Sequence, residues 1–356
     1  MSIPSRIAIF SISDRLGGAE QVLFKIAKYY SEQKGSIISV YFFKSQTTEY
    51  WKENLPLNVR IVYLNNNIKD LFVDLRGEKF EFVFSSHLMV NSLLGILRTI
   101  KILKTKNLVA RESTQVFGRY SGLKLMKYRM AYFLGYRSID LLICQTERML
   151  GILDKHISYL FKRTNVKVIP NPFDFPDKQY INEEVILNGG TIVSAGRLIR
   201  EKGFDILISA FAEIIKEIPS LNLMILGEGS ERKKLEKLIN ELDIKDKVIL
   251  KGHVKNVYPY FKLANVCVVS SIREGFPNVL LQMMSQNDKV VSTDCAGGIL
   301  EIQGVFVVAP DNVKELVGGI KKALNYSSEN RALFDKELQN RSIDSFIQKI
   351  ESLLIK

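Results

Sequence analysis

The stretch Val193-Ser194-Ala195-Gly196-Arg197-Leu198-Ile199-Arg200-Glu201-Lys202-Gly203-Phe204 runs a short apolar strand through two glycines into a helical pattern. Residues 204–216 then repeat apolar side chains at helical spacing, and 221–226 form a second apolar run. Buried strand, glycine-bearing turn, amphipathic helix and buried strand make one βαβ unit. Toward the C-terminus, apolar runs at 248–250, 266–270, 290–292 and 305–308 alternate with helical stretches at 232–241, 279–285 and 313–324. Toward the N-terminus, runs at 6–12, 37–43, 59–64, 80–85, 107–110, 140–144 and 166–169 alternate likewise, with 19–30 reading as a helix. This alternation predicts parallel, doubly wound α/β sheets.

Between the two series the pattern breaks at Pro170-Asn171-Pro172. Residues 173–190 lack periodicity and carry Pro176 and Gly189-Gly190, which reads as a linker. The length, 356 residues, also favours two domains. The expected boundaries are 1–171 and 172–341. The tail 342–356 places apolar residues at 343, 346, 347, 350, 353 and 354. That is a helical stripe which must pack on something, the N-terminal domain being a candidate.

With 46% hydrophobic and 25% charged residues, the chain is neither disordered nor fibrous. Cys144, Cys267 and Cys295 form no CxxC pair, and their odd number argues against a structural disulfide or zinc site. The apolar stretch 7–12 is too short for a signal-peptide core and runs into Asp14 and Arg15. No apolar run is long enough to span a bilayer. The expectation is a cytoplasmic protein, free or lying on a membrane surface.

The net charge of +12 calls for an anionic partner. Most of it sits in the segment 98–137, where Lys and Arg at 98, 101, 104, 106, 111, 119, 124, 127, 129 and 137 face a single acid, Glu112. Within it, 122–137 mixes Lys124, Lys127 and Arg129 with leucine, methionine and aromatic residues. Such a helix can lie on anionic lipid, apolar side down. The plain alternative is a domain helix with a core stripe and a solvated basic face. No nucleic-acid motif accompanies the charge, so specific nucleic-acid binding is not expected.

Three turns carry candidate chemistry. Ser11 to Glu20 ends a strand and opens a helix across Gly17-Gly18, which permits close approach of a ligand phosphate. It is not the GxGxxG fingerprint and equally suits a bare tight turn. Arg197 and Lys202 set two cations at the carboxyl end of a strand, an arrangement suited to a pyrophosphate. In Ser270-Ser271-Ile272-Arg273-Glu274-Gly275-Phe276-Pro277-Asn278-Val279-Leu280-Leu281-Gln282, Pro277 suits a first helical turn. Glu274 then lies in the loop before it, beside free N–H groups that can grip sugar hydroxyls, and Gln282 can point to the same place.

Taken in order, Gly17-Gly18-Ala19-Glu20, Ile169-Pro170-Asn171-Pro172, the Gly196–Gly203 turn, Gly227-Glu228-Gly229 and Glu274-Gly275-Phe276-Pro277-Asn278-Val279-Leu280-Leu281 resemble the retaining glycosyltransferases of family 4, which have the two-domain GT-B fold. The resemblance runs through nearly the whole chain and is strongest over 168–301. It implies that Arg197 and Lys202 bind the donor diphosphate and that Glu274 lies near the donor sugar. It also implies that Gly275, Phe276 and Asn278 form the turn whose amides touch that sugar. Gly17 and Gly18 would lie beside the phosphates. His87 falls where relatives place a histidine near sugar and acceptor; a structural histidine is the alternative. Gln282 stands where the family has a second acid that bonds the nucleotide ribose, so charge-assisted bonds are lost there.

The resemblance further implies a UDP-sugar donor and an acceptor bound to the first domain near His87, Arg111 and Glu112. The acceptor would be a polyprenyl-diphosphate-linked saccharide at the cytoplasmic membrane face. With no Asp-x-Asp motif in the chain, neither metal nor cofactor is expected. The leaving phosphate itself would take the acceptor proton, His87 only positioning, and a cleft between the domains would close about 170–190. Two other readings stay open: a non-catalytic sugar-nucleotide-binding relative, and a sugar-nucleotide epimerase of the same fold.

Overall fold

A computed structural model describes residues 5–176, 184–187, 190–327 and 330–354. The chain divides into two compact units. The first is Met1–Pro172 together with Arg341–Lys356; the second is Phe173–Asn340. The linker residues 177–183 and 188–189, Gly189 among them, lie outside the described residues.

The first unit holds strands β1 (Arg6–Ser11), β2 (Ile37–Phe42), β3 (Val59–Tyr63), β4 (Phe80–Ser85), β5 (Thr105–Arg111), β6 (Leu141–Cys144) and β7 (Asn165–Val168). They form one 7-stranded sheet ordered β3-β2-β1-β4-β5-β6-β7, and each neighbouring pair is parallel. The second unit holds β8 (Thr191–Ala195), β9 (Asn222–Leu226), β10 (Val248–Gly252), β11 (Val266–Val269), β12 (Val290–Thr293) and β13 (Phe306–Val308). Its 6-stranded sheet runs β10-β9-β8-β11-β12-β13, again all parallel. The order is the same in both: the chain starts centrally, winds outward, returns and winds the other way. Ligand crevices in such sheets open at the carboxyl ends of the strands, where the winding reverses. Those reversals fall between β1 and β4 and between β8 and β11.

Both sheets are covered on two faces, as unbroken apolar strands require. On β1 the side chains alternate, Ile7 and Ile9 entering one core and Ala8 and Phe10 the other. On β8, Ile192 and Val193 part in the same way. The helix Ile343–Leu354 buries Phe346, Ile347 and Ile350 in the core that holds Ile7, Val22 and Ile26, so the tail stripe is covered by the first unit. At roughly 2 kcal/mol for each large apolar side chain buried, this helix is a substantial part of that core.

Candidate functional site

In the second unit, β8 ends at Ala195 and leads through Gly196 and a single 3₁₀ turn, Arg200–Lys202, to the helix Phe204–Glu217. Gly203 joins them with φ +60°, in the left-handed region. A Cβ there would also run into the Ser270 carbonyl, so glycine is required twice over. This lets the loop after β8 lie against the loop after β11. The two are stitched by Ile272 N–H donating to the Glu201 carbonyl at 2.8 Å and Ser270 Oγ donating to the Lys202 carbonyl at 2.9 Å.

Across that seam Lys202 Nζ forms an ion pair with Glu274 Oε1. Their side chains are only 16% and 18% exposed, and Ser271 Oγ donates to the same carboxylate oxygen at 2.9 Å. Glu274's amide donates to the Cys295 carbonyl at 2.9 Å, while the Gly275 amide has no partner among the described residues. Arg197 is exposed and makes no ion pair among the described residues. Phe276 turns inward to the core. The helix starts at Asn278, with Pro277 at its N-cap rather than inside the first turn as expected. Gln282 reaches toward the Tyr258 hydroxyl, Nε2 to oxygen 3.5 Å. So Arg197, Lys202, Glu274 and Gly275 come together on two adjoining loops, with a cation and an amide still available.

In the first unit, the loop after β1 is anchored by Asp14. Its buried carboxylate accepts from the Thr47 amide at 2.8 Å and the Thr48 amide at 3.0 Å. Gly17 caps the helix Gly18–Ser31, whose first turn carries Glu20. After β4, His87 caps the helix Leu88–Thr99. His87 Nε2 lies 2.8 Å from Glu20 Oε1, the side chains being 19% and 10% exposed. Gly17, Gly18 and His87 are thus neighbours through Glu20, a residue quoted in the motif but given no role. Its signal was its place, an acid in a first helical turn three residues past a glycine.

Arg111 and Glu112 correct the sequence reading. Both were expected to meet the acceptor, yet they are buried, 3% and 1% exposed. Arg111 Nη1 donates to Ser86 Oγ at 2.9 Å and Nη2 to Asn171 Oδ1, which ties the residue before His87 to the 170–172 segment. Asn171 Nδ2 continues to Gln145 Oε1 at 3.1 Å, and Gln145 Nε2 to the Glu112 carbonyl at 2.7 Å. Glu112 Oε1 accepts from the Tyr136 hydroxyl at 2.7 Å. Burial pushes the Glu112 carboxyl up to about 7, against the Tyr136 bond and the Arg111 charge, which pull it down. Burial likewise lowers the Arg111 guanidinium. The pair braces loops from inside and offers an acceptor almost no surface.

The basic segment forms the helix Gly122–Gly135 and a 3₁₀ turn, Tyr136–Ser138. Ala131, Tyr132 and Gly135 face inward. Leu123, Met126, Met130, Phe133 and Leu134 are exposed, Leu123 by 80%. Their spacing puts all five on one stripe opposite the core. Lys124 Nζ lies 4.1 Å from the centre of the Tyr120 ring and the Arg137 guanidinium 3.9 Å from that of Phe133. Arg98 is tied to Asp140 and the Ser138 carbonyl, and Arg111 is buried, so those two of the segment's cations are withdrawn from any partner. Among the described residues, no helix is long and apolar enough to cross a membrane.

Residues 178–341 match the family described as glycosyl transferases group 1. An uncharacterized glycosyltransferase of Methanocaldococcus jannaschii is 33% identical over 52% of this chain and 46% of its own length. An uncharacterized glycosyltransferase of Haemophilus influenzae is 25% identical over 94% of each chain. The N-acetylgalactosamine-N,N'-diacetylbacillosaminyl-diphospho-undecaprenol 4-alpha-N-acetylgalactosaminyltransferase of Campylobacter jejuni is 31% identical over 56% of this chain and 55% of its own. The chain therefore spans about half the length of two of these relatives and nearly all of the third. Among solved structures, Anabaena HepE in complex with UDP and glucose superposes with TM-score 0.78 at 19% identity, over 98% of this chain and 99% of that one. The fold is GT-B, two parallel-sheet α/β units, and the match to the group 1 glycosyl transferases covers most of the second unit.

Proposed function

We propose that this chain transfers a sugar, with retention and without a metal, from a nucleotide-diphosphate sugar to a lipid-linked saccharide. One observation carries the reading: Lys202 and Glu274 pair at the β8/β11 reversal, with Arg197 exposed nearby. The diphosphate takes the place of the carboxylate at Lys202 and draws Arg197 as a second cation. Glu274, released, accepts bonds from sugar hydroxyls beside the Gly275 amide. As the sugar–oxygen bond breaks, negative charge grows on the diphosphate, and fixed cations stabilise that charge more than the ground state. In the first unit, His87 orients the acceptor. The leaving phosphate takes the acceptor proton.

UDP is favoured as the carrier because HepE holds UDP. A polyprenyl-diphosphate acceptor is favoured because the Campylobacter relative is named for one. The exposed stripe 123–134 supports binding at the cytoplasmic membrane face, its apolar side chains entering the headgroup boundary while Lys124, Lys127 and Arg129 meet anionic lipid.

The test is nucleotide release from a panel of UDP-sugars, with and without a polyprenyl-diphosphate saccharide. Acceptor-dependent release that disappears in Lys202→Ala supports the reading. Release of nothing, with the sugar nucleotides leaving thermal stability unchanged, defeats it. Sedimentation with anionic vesicles tests the membrane part separately.

A further inference from the structure

The Gly17-Gly18-Ala19-Glu20 turn contains an acid that the proposed reaction does not use. Glu20 is buried, and its carboxylate lies 2.8 Å from His87 Nε2. A carboxylate can only accept, so the proton of that bond sits on the ring nitrogen. With Nε2 carrying hydrogen, a neutral ring keeps its lone pair on Nδ1.

The same carboxylate explains the first glycine. Gly17 has φ −79° and ψ 178°, a conformation open to any residue, so backbone freedom is not the reason for glycine there. Space is: a Cβ on residue 17 would stand 2.6 Å from Glu20 Oε2. Glycine at 17 leaves room for the carboxylate to fold back toward His87. On the histidine side, the His87 carbonyl accepts from the Asn91 amide at 2.8 Å, and Ser86 Oγ accepts from Arg111 at 2.9 Å. Backbone and ring of His87 are thus held from three directions.

We propose that Glu20 is a positioning residue for His87, fixing the ring through Nε2–H and leaving Nδ1 as the nitrogen that meets the acceptor sugar. Gly17 serves the same purpose by leaving the carboxylate its space. The assignment rests on the proposed function, in which His87 orients the acceptor.

The test has two arms. The chain has only 3 histidines, His87, His156 and His253, so ring N–H resonances are assigned by removing one at a time. A slowly exchanging His87 Nε2–H signal is expected in the wild type and in Glu20→Gln, whose amide oxygen still accepts. It is lost in Glu20→Leu and in Gly17→Ala. In turnover, Glu20→Leu lowers kcat about tenfold with the donor KM nearly unchanged, and Glu20→Gln recovers most of the rate. In a His87→Ala background, Glu20→Leu costs nothing further. A ring N–H signal that survives in Glu20→Leu overturns the proposal, as does the same tenfold loss when His87 is already gone. Were the wild type to turn over no sugar nucleotide, the functional reading would fail, while the N–H arm would still decide the pairing.

Discussion

The two units share a strand order, and in each a side-chain contact between an acid and a basic residue joins the segment after the first strand to the segment after the fourth. In the second unit the cation, Lys202, stands on the first loop and the acid, Glu274, on the fourth. In the first unit the acid, Glu20, stands in the first helical turn after the first strand and the base, His87, on the loop after the fourth. The surroundings differ more than the pairs. On the same loop as Lys202 lies Arg197, exposed and without an ion pair among the described residues. Beside His87, the Arg111 guanidinium is walled in and holds Ser86 and Asn171. One topology thus serves two purposes. It offers charge outward where a charged ligand is expected, and it turns charge inward where a neutral sugar hydroxyl must be aimed.

The contrast is most exposed to failure at Lys202. Lys202→Ala is expected to cut nucleotide release more than a hundredfold in steady-state kinetics, the scale of losing a donor to developing charge. That loss should far exceed the tenfold effect at Glu20. Equal losses at the two sites would erase the distinction between a group that touches the donor and one that aims another side chain.

The inward charge of the first unit has its own signature. The Glu112 carboxyl rises from the ordinary 4.5 to about 7 on folding. The folded chain therefore holds that proton more tightly than the unfolded one. Its contribution to stability is full below about 4.5 and is lost as the pH rises through about 7. Glu112→Gln removes the titration while keeping an acceptor for Tyr136. Its stability relative to the wild type should therefore grow by roughly 3 kcal/mol between pH 4.5 and pH 8, read as melting temperature across pH. A constant difference would mean that the carboxyl is not desolvated.

The two glycines sharpen the comparison further. Gly203→Ala meets both a left-handed backbone and the Ser270 carbonyl, and should cost roughly 2 kcal/mol in denaturant unfolding. Gly17→Ala meets only a side-chain end and should cost well under that. The smallest effect is expected at the exposed helix. Replacing Lys124 or Lys127 by Glu should weaken binding to anionic vesicles by roughly 1 kcal/mol for each cation lost, more at low salt, with kcat on a soluble acceptor unchanged.

Much of this was legible in the sequence. Every expected strand from 6–12 to 305–308 is present, most ends within a residue or two, because apolar runs buried on both faces leave an unbroken signal. Arg197, Lys202, Glu274 and Gly275 were legible too, since residues on short turns at strand ends keep their place whatever packs around them. Partnerships were not. Nothing in the spacing of Lys202 and Glu274 says that they neutralise each other, because the contact depends on which strands adjoin. Arg111 and Glu112 were misread for a related reason. A charged pair at a strand end reads the same exposed or covered, and Tyr136, which covers Glu112, lies on another element 24 residues on. The 123–134 stripe was read only as a mixture of leucine, aromatic and basic residues. Which apolar side chains face out was fixed by the burial of Ala131, Tyr132 and Gly135.

The first unit is discontinuous along the chain, since Phe346, Ile347 and Ile350 complete a core begun by Ile7 and Ile9. During synthesis the ribosome must therefore make the whole second unit before the first can close its hydrophobic face. Until then Val22, Ile26 and their neighbours lack their final cover, and the nascent chain carries an open greasy surface suited to a chaperone.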